Sequence, residues 1–92
     1  MKNKTILILG GTGALGKTLI KRYYDDNTII VFSRDEHKHY HLLKEYPNLK
    51  SVVGDIRDKA AVMNALLRFK PNVVINAAAL KHVPICEENP YE

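Results

Sequence analysis

Short apolar runs alternate with amphipathic stretches along the chain. Four of these runs are rich in β-branched residues and have the length of buried strands, at residues 5–9, 28–32, 50–54 and 73–75. The stretches between them place apolar residues at helical spacing, as Leu15, Leu19 and Tyr23 do after the first run. Strands that alternate with helices predict a parallel sheet joined by right-handed crossovers. We therefore predict an α/β fold of the Rossmann type, with helices on both faces of a sheet whose four strands have the order 3-2-1-4.

Polar residues and prolines set the limits of the predicted helices. Residues 25–27 (Asp-Asp-Asn) end the first helix, and Pro47 closes a polar second helix over residues 35–45. Asp58 is a favourable N-cap for a third helix, which ends before Pro71. Each helix therefore fits between two strands without a long loop.

Three glycines at the spacing G-x-x-G-x-x-G join the first strand to the first helix, at Gly10, Gly13 and Gly16. A turn of this kind points free backbone N–H groups and the positive end of a helix dipole at one spot, which suits a phosphate. Gly10 permits the tight turn, Gly13 leaves room for a pyrophosphate, and Gly16 lets the helix pack closely on the strand. The motif predicts a dinucleotide site at the start of the helix.

The same loop also fits a second motif. Residues 11–18 match G-x-x-x-x-G-K-T, the P-loop of triphosphate-binding proteins, in which Lys17 would reach the phosphates and Thr18 would hold magnesium. Such a protein needs an acid after an apolar strand to organise the metal. Asp55 is the one candidate, because the fourth strand ends in Asn76. The triphosphate alternative therefore has no second support in the sequence.

The second and third strands end in residues suited to an adenosine. Ser33 stands where an acid often meets the ribose, and Arg34 follows with a guanidinium that can bind a 2′-phosphate, helped by Lys38. Asp55 can accept a hydrogen bond from the adenine amine, although a plain turn into the next helix explains it equally well. These residues favour NADP, while a nearby acid, Asp35, keeps NAD possible.

Small residues follow the fourth strand, which is expected to lie beside the first at the crevice where open α/β sheets bind ligands. Ala77, Ala78 and Ala79 would let a flat cofactor lie against the backbone, although they could equally begin a helix. Lys81 could reach a ribose hydroxyl or an anionic substrate.

Composition narrows the class and the location. With 92 residues, 46% of them hydrophobic, the chain is expected to form at most one small globular domain. Its 14 Lys and Arg give a formal net charge of +4 but form no block, so no nucleic-acid partner is expected. The single cysteine, Cys86, cannot form an intramolecular disulfide, and we expect an idle thiol. No apolar run is long enough to span a membrane, so we expect a cytoplasmic location without membrane association.

Four stretches carry a resemblance to a known family: GGTGALGK, FSRDE, GDIRD and NAAALKHVPICEENPYE. Together they resemble the extended short-chain dehydrogenase/reductases, and more narrowly the polysaccharide-biosynthesis branch that includes UDP-N-acetylglucosamine 4,6-dehydratases. The resemblance spans essentially the whole chain. It implies a resident, recycled NADP that oxidises the sugar at C4, after which water leaves across C5–C6 and the hydride returns to C6.

The resemblance also implies which residues hold the cofactor. Those at the pyrophosphate would be Thr12, Gly13, Ala14 and Leu15. Those around the phosphorylated ribose would be Ser33, Arg34, Asp35, Glu36 and Lys38. Those at the adenine would be Asp55 and Ile56. Those on the nicotinamide side would be Ala77 and Lys81, with Lys81 also near the UDP-sugar substrate.

Enzymes of this branch are about three times as long as this chain, and their acid–base residues lie after a fifth strand. We therefore expect residues 1–92 to be the N-terminal portion of a dinucleotide-binding domain, inactive alone and prone to form a homo-oligomer through the uncovered fourth strand. A non-catalytic NAD(P)-binding sensor remains the alternative. Two pairs match the superfamily's Tyr-x-x-x-Lys, Tyr40 with Lys44 and Tyr46 with Lys50. Both lie on the adenosine side, so we predict no catalytic residue here.

Three histidines alternate at His37, His39 and His41, as zinc ligands on one face of a strand would. The segment is predicted to be a helix or a loop, where this spacing scatters the three rings. We therefore predict a solvated polar segment and no metal site.

Overall fold

The computed structural model describes residues 2–77, which form a four-stranded parallel sheet flanked by helices. The elements are β1 (Thr5–Leu9), α1 (Ala14–Tyr23), a 3-10 turn (Tyr24–Asp26), β2 (Thr28–Ser33), α2 (Glu36–Glu45), β3 (Lys50–Val53), α3 (Lys59–Phe69) and β4 (Val73–Asn76). The strand order is β3-β2-β1-β4, which confirms the sequence prediction. The predicted site residues Ala78 and Lys81 lie outside the described residues, as does Cys86. Among residues 2–77, the helices are all too short or too polar to cross a lipid bilayer.

The central strand β1 aligns the ends of its neighbours. Leu9 pairs with Phe32 of β2 and with Asn76 of β4, so three strands end at one edge of the sheet. Both faces of β1 are covered, because Ile6, Leu7 and Ile8 are at most 1% exposed. An unbroken apolar run is what a doubly covered parallel strand requires.

Alternate residues of the strands build two separate cores. One face of the sheet packs Ile8 and Val31 against α1 and α2, through Ile20 and Leu42. The other face packs Leu7, Leu9, Ile30 and Phe32 against α3, through Ala65. Truncating one of these buried aliphatic side chains to alanine typically costs about 2–5 kcal/mol of stability. The helices thus cover both faces, as predicted.

The second and third helices begin with aspartate caps. The Asp35 carboxylate accepts a hydrogen bond of 3.0 Å from the backbone N–H of Lys38, and the Asp58 carboxylate accepts one of 3.2 Å from Ala61. The role predicted for Asp58 is confirmed. The second helix begins at Glu36 rather than at Asp35, because the side chain of Asp35 replaces a missing backbone acceptor at the helix start.

The predicted apolar face of α1 packs against the core except at its first residue. Leu19 and Tyr23 are partly buried against the core, beside the buried residues Gly16 and Ile20. Leu15, predicted on the same face, is 38% exposed. The face of the helix that carries Gly16 lies against the glycine loop, so Leu15 faces outward beside it.

The prediction that all three histidines are solvated is wrong for one of them. His39 is only 3% exposed, and neither of its ring nitrogens has a hydrogen-bond partner among residues 2–77. His37 and His41 lie on the exposed face of α2 with their Nε2 atoms 3.2 Å apart. A helix brings residues four apart onto one face and turns the residue between them to the opposite side, so the spacing pairs two rings and buries the third.

We expect His39 to make folding stability depend on pH. Burial lowers the pKa of His39 below its ordinary value of 6.5, against the opposing charges of Asp35 and Glu36. Since unfolding restores the ordinary pKa, stability is complete above pH 6.5 and is lost as the pH falls from there towards the folded-state value, by at most about 1.4 kcal/mol per pH unit. Urea unfolding at pH 7.5, 6.5 and 5.5 measures this decline.

The matched variants for this measurement are His39→Leu and His37→Gln. His39→Leu should flatten the decline between pH 7.5 and 5.5, because the buried titrating group is gone. His37→Gln should leave it unchanged, because that ring is exposed. An equal decline in the wild type and in His39→Leu would contradict the prediction.

Candidate functional site

The chain leaves β1 through a tight turn at Gly10. The φ angle of Gly10 is 76°, a left-handed conformation that glycine adopts without strain. Its backbone N–H donates to the carbonyl oxygen of Phe32 at 2.7 Å, so the turn stays joined to the end of β2. The role predicted for Gly10 is therefore seen in the structure.

Helix α1 makes its closest approach to the glycine loop itself. A Cβ atom on Gly16 would lie 2.3 Å from the carbonyl oxygen of Gly11, a distance that no real side chain shows. Gly11 in turn rests on the strands, because its Cβ would lie 2.9 Å from Val31 Cγ1 and 3.0 Å from Ile8 Cγ2. The prediction gave Gly16 a contact with the strand. The structure divides that contact between two glycines, and the sequence reading assigned no packing role to Gly11.

The start of α1 has no side-chain cap. Gly13 is the N-cap residue, and no atom lies within 4 Å of the position that its Cβ would occupy. The first N–H groups of a helix have no partner within the helix, and aspartate side chains cap this position in α2 and α3. The uncapped N–H groups and the helix dipole together suit an anion such as a pyrophosphate.

Two buried hydroxyls join the glycine loop to the end of β2. The side chains of Thr12 and Ser33 share a hydrogen bond of 3.1 Å, and both residues are buried. Ser33 Oγ also accepts from the backbone N–H of Asp35 at 3.3 Å. Both residues were predicted to contact the cofactor directly. In the structure, their hydroxyls instead join the glycine loop to the chain that follows β2.

A cavity of about 740 Å³ opens at the carboxyl ends of β1, β2 and β3. Its lining residues are Gly10, Ser33, Arg34, Asp35, Glu36, Gly54, Asp55, Ile56 and Arg57. Seven of these nine were predicted cofactor residues, and the sequence reading gave no ligand role to Gly54 or Arg57. Gly54 is required for packing, because a Cβ there would lie 2.8 Å from Cζ of Phe32.

Lys38, predicted to help at the ribose, lines a different groove. That groove holds about 160 Å³ and is lined by Lys17, Lys38, His41, Leu42 and Glu45. Lys17 is the residue that the P-loop alternative would place on the phosphates. The hydroxyl of Thr18, which would hold magnesium, donates to the carbonyl oxygen of Ala14 at 3.1 Å. The geometry therefore adds no support to the triphosphate alternative.

One carboxylate organises the charges of the cavity. The Asp55 carboxylate accepts from Nη2 of Arg57 at 2.8 Å and from the backbone N–H of Arg57 at 2.8 Å. Nη1 of Arg34 lies 3.8 Å from the same Asp55 Oδ2. The hydrogen bonds from Arg57, with the charges of both arginines, lower the pKa of Asp55 from 3.8 to about 2. Asp55 is therefore ionised at neutral pH, and both of its carboxylate oxygens accept hydrogen bonds from Arg57.

The two Tyr-x-x-x-Lys pairs lie away from this cavity. Tyr40 is 57% exposed, with the ammonium of Lys44 4.8 Å from its ring centre. The ring of Tyr46 packs edge-on against that of Tyr24, with 4.8 Å between the ring centres, and is partly buried against the core beside α2. Neither tyrosine lines the cavity at the strand ends.

The fourth strand ends beside the glycine loop. The backbone N–H of Ala77 donates to the carbonyl oxygen of Leu9 at 2.9 Å, which continues the pairing of β4 with β1. Below this end lies a mostly apolar cavity of about 580 Å³, lined by Leu9, Ile56, Lys59, Val62, Met63, Leu66 and Asn76. Ile56 lines both this cavity and the cavity at the ends of β1, β2 and β3.

The strand order, the glycine turn and the cavity at the strand ends define a Rossmann-type α/β fold. Residues 6–92 match the model of a family described as polysaccharide biosynthesis protein. The chain belongs to this family.

Individual relatives agree with the family. The chain is 45% identical to a UDP-N-acetylglucosamine 4,6-dehydratase (inverting) of Campylobacter jejuni, over 97% of this chain and 28% of that protein. The crystal structure of Pen from Bacillus thuringiensis superposes with a TM-score of 0.76 at 35% identity, covering 98% of this chain and 29% of that one. WbmG of Bordetella bronchiseptica, solved in complex with NAD and UDP, superposes with a TM-score of 0.74 at 28% identity, over 90% and 27% of the two chains. The chain thus spans under a third of the length of each of these relatives.

Proposed function

We propose that this chain is the NADP-binding part of a sugar-nucleotide 4,6-dehydratase that acts on a UDP-N-acetylglucosamine-type substrate in surface-polysaccharide biosynthesis. The observation that carries the proposal is the cavity at the strand ends, lined by Gly10, Arg34 and Asp55, on a fold whose glycine turn leads into the uncapped start of α1. A dinucleotide needs a phosphate site and an adenosine site side by side at the strand ends. Similarity to the Campylobacter jejuni dehydratase supplies the reaction, and the Bordetella bronchiseptica complex with NAD and UDP supports the ligand class.

Each part of the cofactor has a group that suits it. The first N–H groups of α1 would bind the pyrophosphate, and the space beside Gly13 admits its oxygens. Arg34 would bind the 2′-phosphate, Asp55 would accept from the adenine amine, and Ile56 would pack on the ring. The Arg34 guanidinium favours NADP over NAD, because a planar guanidinium can donate two hydrogen bonds to the 2′-phosphate that only NADP carries.

The reaction of the whole enzyme would remove water from the sugar. Bound NADP would supply reversible hydride transfer. C4 would become a ketone by losing its hydride to the cofactor and its hydroxyl proton to a base. The ketone at C4 makes the proton at C5 acidic, so a base can remove it while the C6 hydroxyl leaves as water. C6 would then regain the hydride and C5 a proton. The cavity residues would bind and orient the cofactor, and proton transfer would fall to other residues of the whole enzyme. The product would be a 4-keto-6-deoxy sugar nucleotide. We propose that the whole enzyme is a lyase, that it is cytoplasmic and that it forms a homo-oligomer.

Calorimetry of the chain with NADP, NAD and ATP–magnesium tests the cofactor. We expect NADP to bind more tightly than NAD and ATP–magnesium not to bind. Tight ATP binding without dinucleotide binding would overturn the proposal in favour of the P-loop alternative, and tighter NAD binding would overturn the 2′-phosphate assignment.

The reaction is tested on an enzyme that carries this chain as its N-terminal part. Proton NMR of UDP-N-acetylglucosamine incubated with that enzyme should show a new C6 methyl signal from the 4-keto-6-deoxy product. Dinucleotide binding without any sugar conversion would support the alternative of a non-catalytic sensor instead.

A further inference from the structure

Arg57 occupies both oxygens of the carboxylate that the adenine needs. Its Nε lies 3.1 Å from Asp55 Oδ1 and 3.2 Å from Oδ2, and its Nη2 lies 2.8 Å from Oδ2. The backbone N–H of Arg57 donates separately to Oδ1 at 2.8 Å. That backbone bond holds the carboxylate in place whether or not the guanidinium stays. An adenine amine that enters the cavity must therefore compete with the guanidinium for Asp55.

Two guanidinium groups converge on the same oxygen from neighbouring loops. Arg34 follows β2 and Arg57 follows β3, and both contact Asp55 Oδ2, at 3.8 Å and 2.8 Å respectively. Both side chains are largely exposed, at 70% and 77% of their surface, so moving either costs little packing. Both residues line the cavity. A single anion placed between these loops is within reach of both side chains.

Of the two other acids that line the cavity, Asp35 and Glu36, the first already has a partner. The Asp35 carboxylate caps α2 through the N–H of Lys38. A guanidinium displaced from Asp55 gains most by meeting a new anion, since charge-assisted bonds are roughly twice as strong as neutral ones. The 2′-phosphate of NADP, placed at Arg34, is such an anion, and NAD has none.

We propose that Arg57 is a second binding residue of the 2′-phosphate site, and that its guanidinium exchanges between Asp55 and the phosphate. This proposal rests on the proposed NADP function. When NADP binds, the guanidinium of Arg57 leaves Asp55 for the 2′-phosphate, and Asp55 becomes free for the adenine amine. When NAD binds, Arg57 has no anion to move to and competes with the adenine for Asp55. Arg57 therefore favours NADP and disfavours NAD through the same side chain.

Binding of NADP and NAD to Arg57→Ala and Arg57→Lys, measured by calorimetry, tests this exchange. Arg57→Ala should weaken NADP about tenfold, as expected for the loss of a hydrogen bond to a charged group. The same variant should bind NAD more tightly than the wild type does, because the competition for Asp55 is gone, and an unchanged NAD affinity would contradict that competition. The NADP affinity of Arg57→Lys should lie between those of the wild type and the alanine variant. Lysine keeps the positive charge but loses the planar guanidinium, which can make two hydrogen bonds to a phosphate. Equal losses for both dinucleotides, or no loss for NADP, would overturn the exchange.

A second measurement follows the phosphate directly. Phosphorus NMR of bound NADP should give the 2′-phosphate a lower pKa in the wild type than in Arg57→Ala, because a nearby cation favours the dianion. A merely structural Arg57 would leave that pKa unchanged, which would also overturn the proposal.

The two proposals fail in different ways. If the wild-type chain binds no dinucleotide or prefers NAD, the proposed function fails and the exchange fails with it. If the wild type prefers NADP and Arg34→Ala removes that preference while Arg57→Ala does not, the exchange alone is wrong.

Discussion

Replacing Gly16 with alanine is expected to lower the free energy of unfolding by about 3 kcal/mol, the upper end of what overpacking usually costs. The added methyl group would lie 2.3 Å from the carbonyl oxygen of Gly11 and 2.4 Å from its Cα. Alanine gains at most about 1 kcal/mol over glycine as a helix former, which does not offset a clash with backbone. Thermal unfolding should show the melting temperature fall by on the order of 10–20 °C.

Gly13→Ala is the matched control for this variant. It lies three residues earlier, at the N-cap of the same helix, in extended backbone, with nothing within 4 Å of the new methyl group. Its effect on stability should stay under about 1 kcal/mol, the usual scale of a change at an uncapped helix start. Its effect should appear in dinucleotide affinity, because the methyl group enters the space proposed for the pyrophosphate. Equal melting temperatures for the two variants would contradict the assigned packing role of Gly16.

The sheet could be predicted from the sequence because its strands are short, apolar and separated by helical spacing. Once β1 is buried on both faces, a parallel sheet with crossovers on each side places β2 and β4 beside it. The exposure of Leu15 could not be predicted in the same way. The row of Leu15, Leu19 and Tyr23 is apolar, and its last two residues pack against the core, but the fit of Gly16 against Gly11 leaves Leu15 at the edge.

The positions of the candidate site's residues could be predicted where a motif fixes the backbone. The hydrogen-bond partners of their side chains were harder to predict. Gly10, Arg34 and Asp55 lie at strand ends, so their meeting at one cavity follows from topology. The pairing of Arg57 with Asp55 depends on a turn of two residues that polarity alone does not reveal. The available signal was the spacing of an acid and an arginine two residues apart within a turn. The prediction that His39 is exposed was wrong. It followed from the polarity of the side chain, whereas helical geometry places His39 on the side of α2 opposite His37 and His41.

Arg34→Ala should weaken NADP binding by about tenfold to a hundredfold while changing NAD binding much less. The guanidinium of Arg34 lines the cavity, and its largely exposed side chain can turn from Asp55 towards a 2′-phosphate. A hydrogen bond to a charged group is worth about 1.5–3 kcal/mol, and each 1.4 kcal/mol is about tenfold in affinity. Calorimetry with both dinucleotides at one fixed salt concentration measures the two losses, because salt screens exposed charges.

Lys38→Ala tests the position of the charge as well as its sign. Arg34 and Lys38 are four residues apart and both cationic, yet Lys38 lines the groove beside Lys17 and Glu45 rather than the cavity at the strand ends. If NADP binding depends on where each positive charge lies, Lys38→Ala should lower the affinity for NADP less than about threefold, because salt screens a charge at a distance. Comparable losses from the two variants would mean that the general positive charge of this region attracts NADP, and that Arg34 does not bind the 2′-phosphate directly.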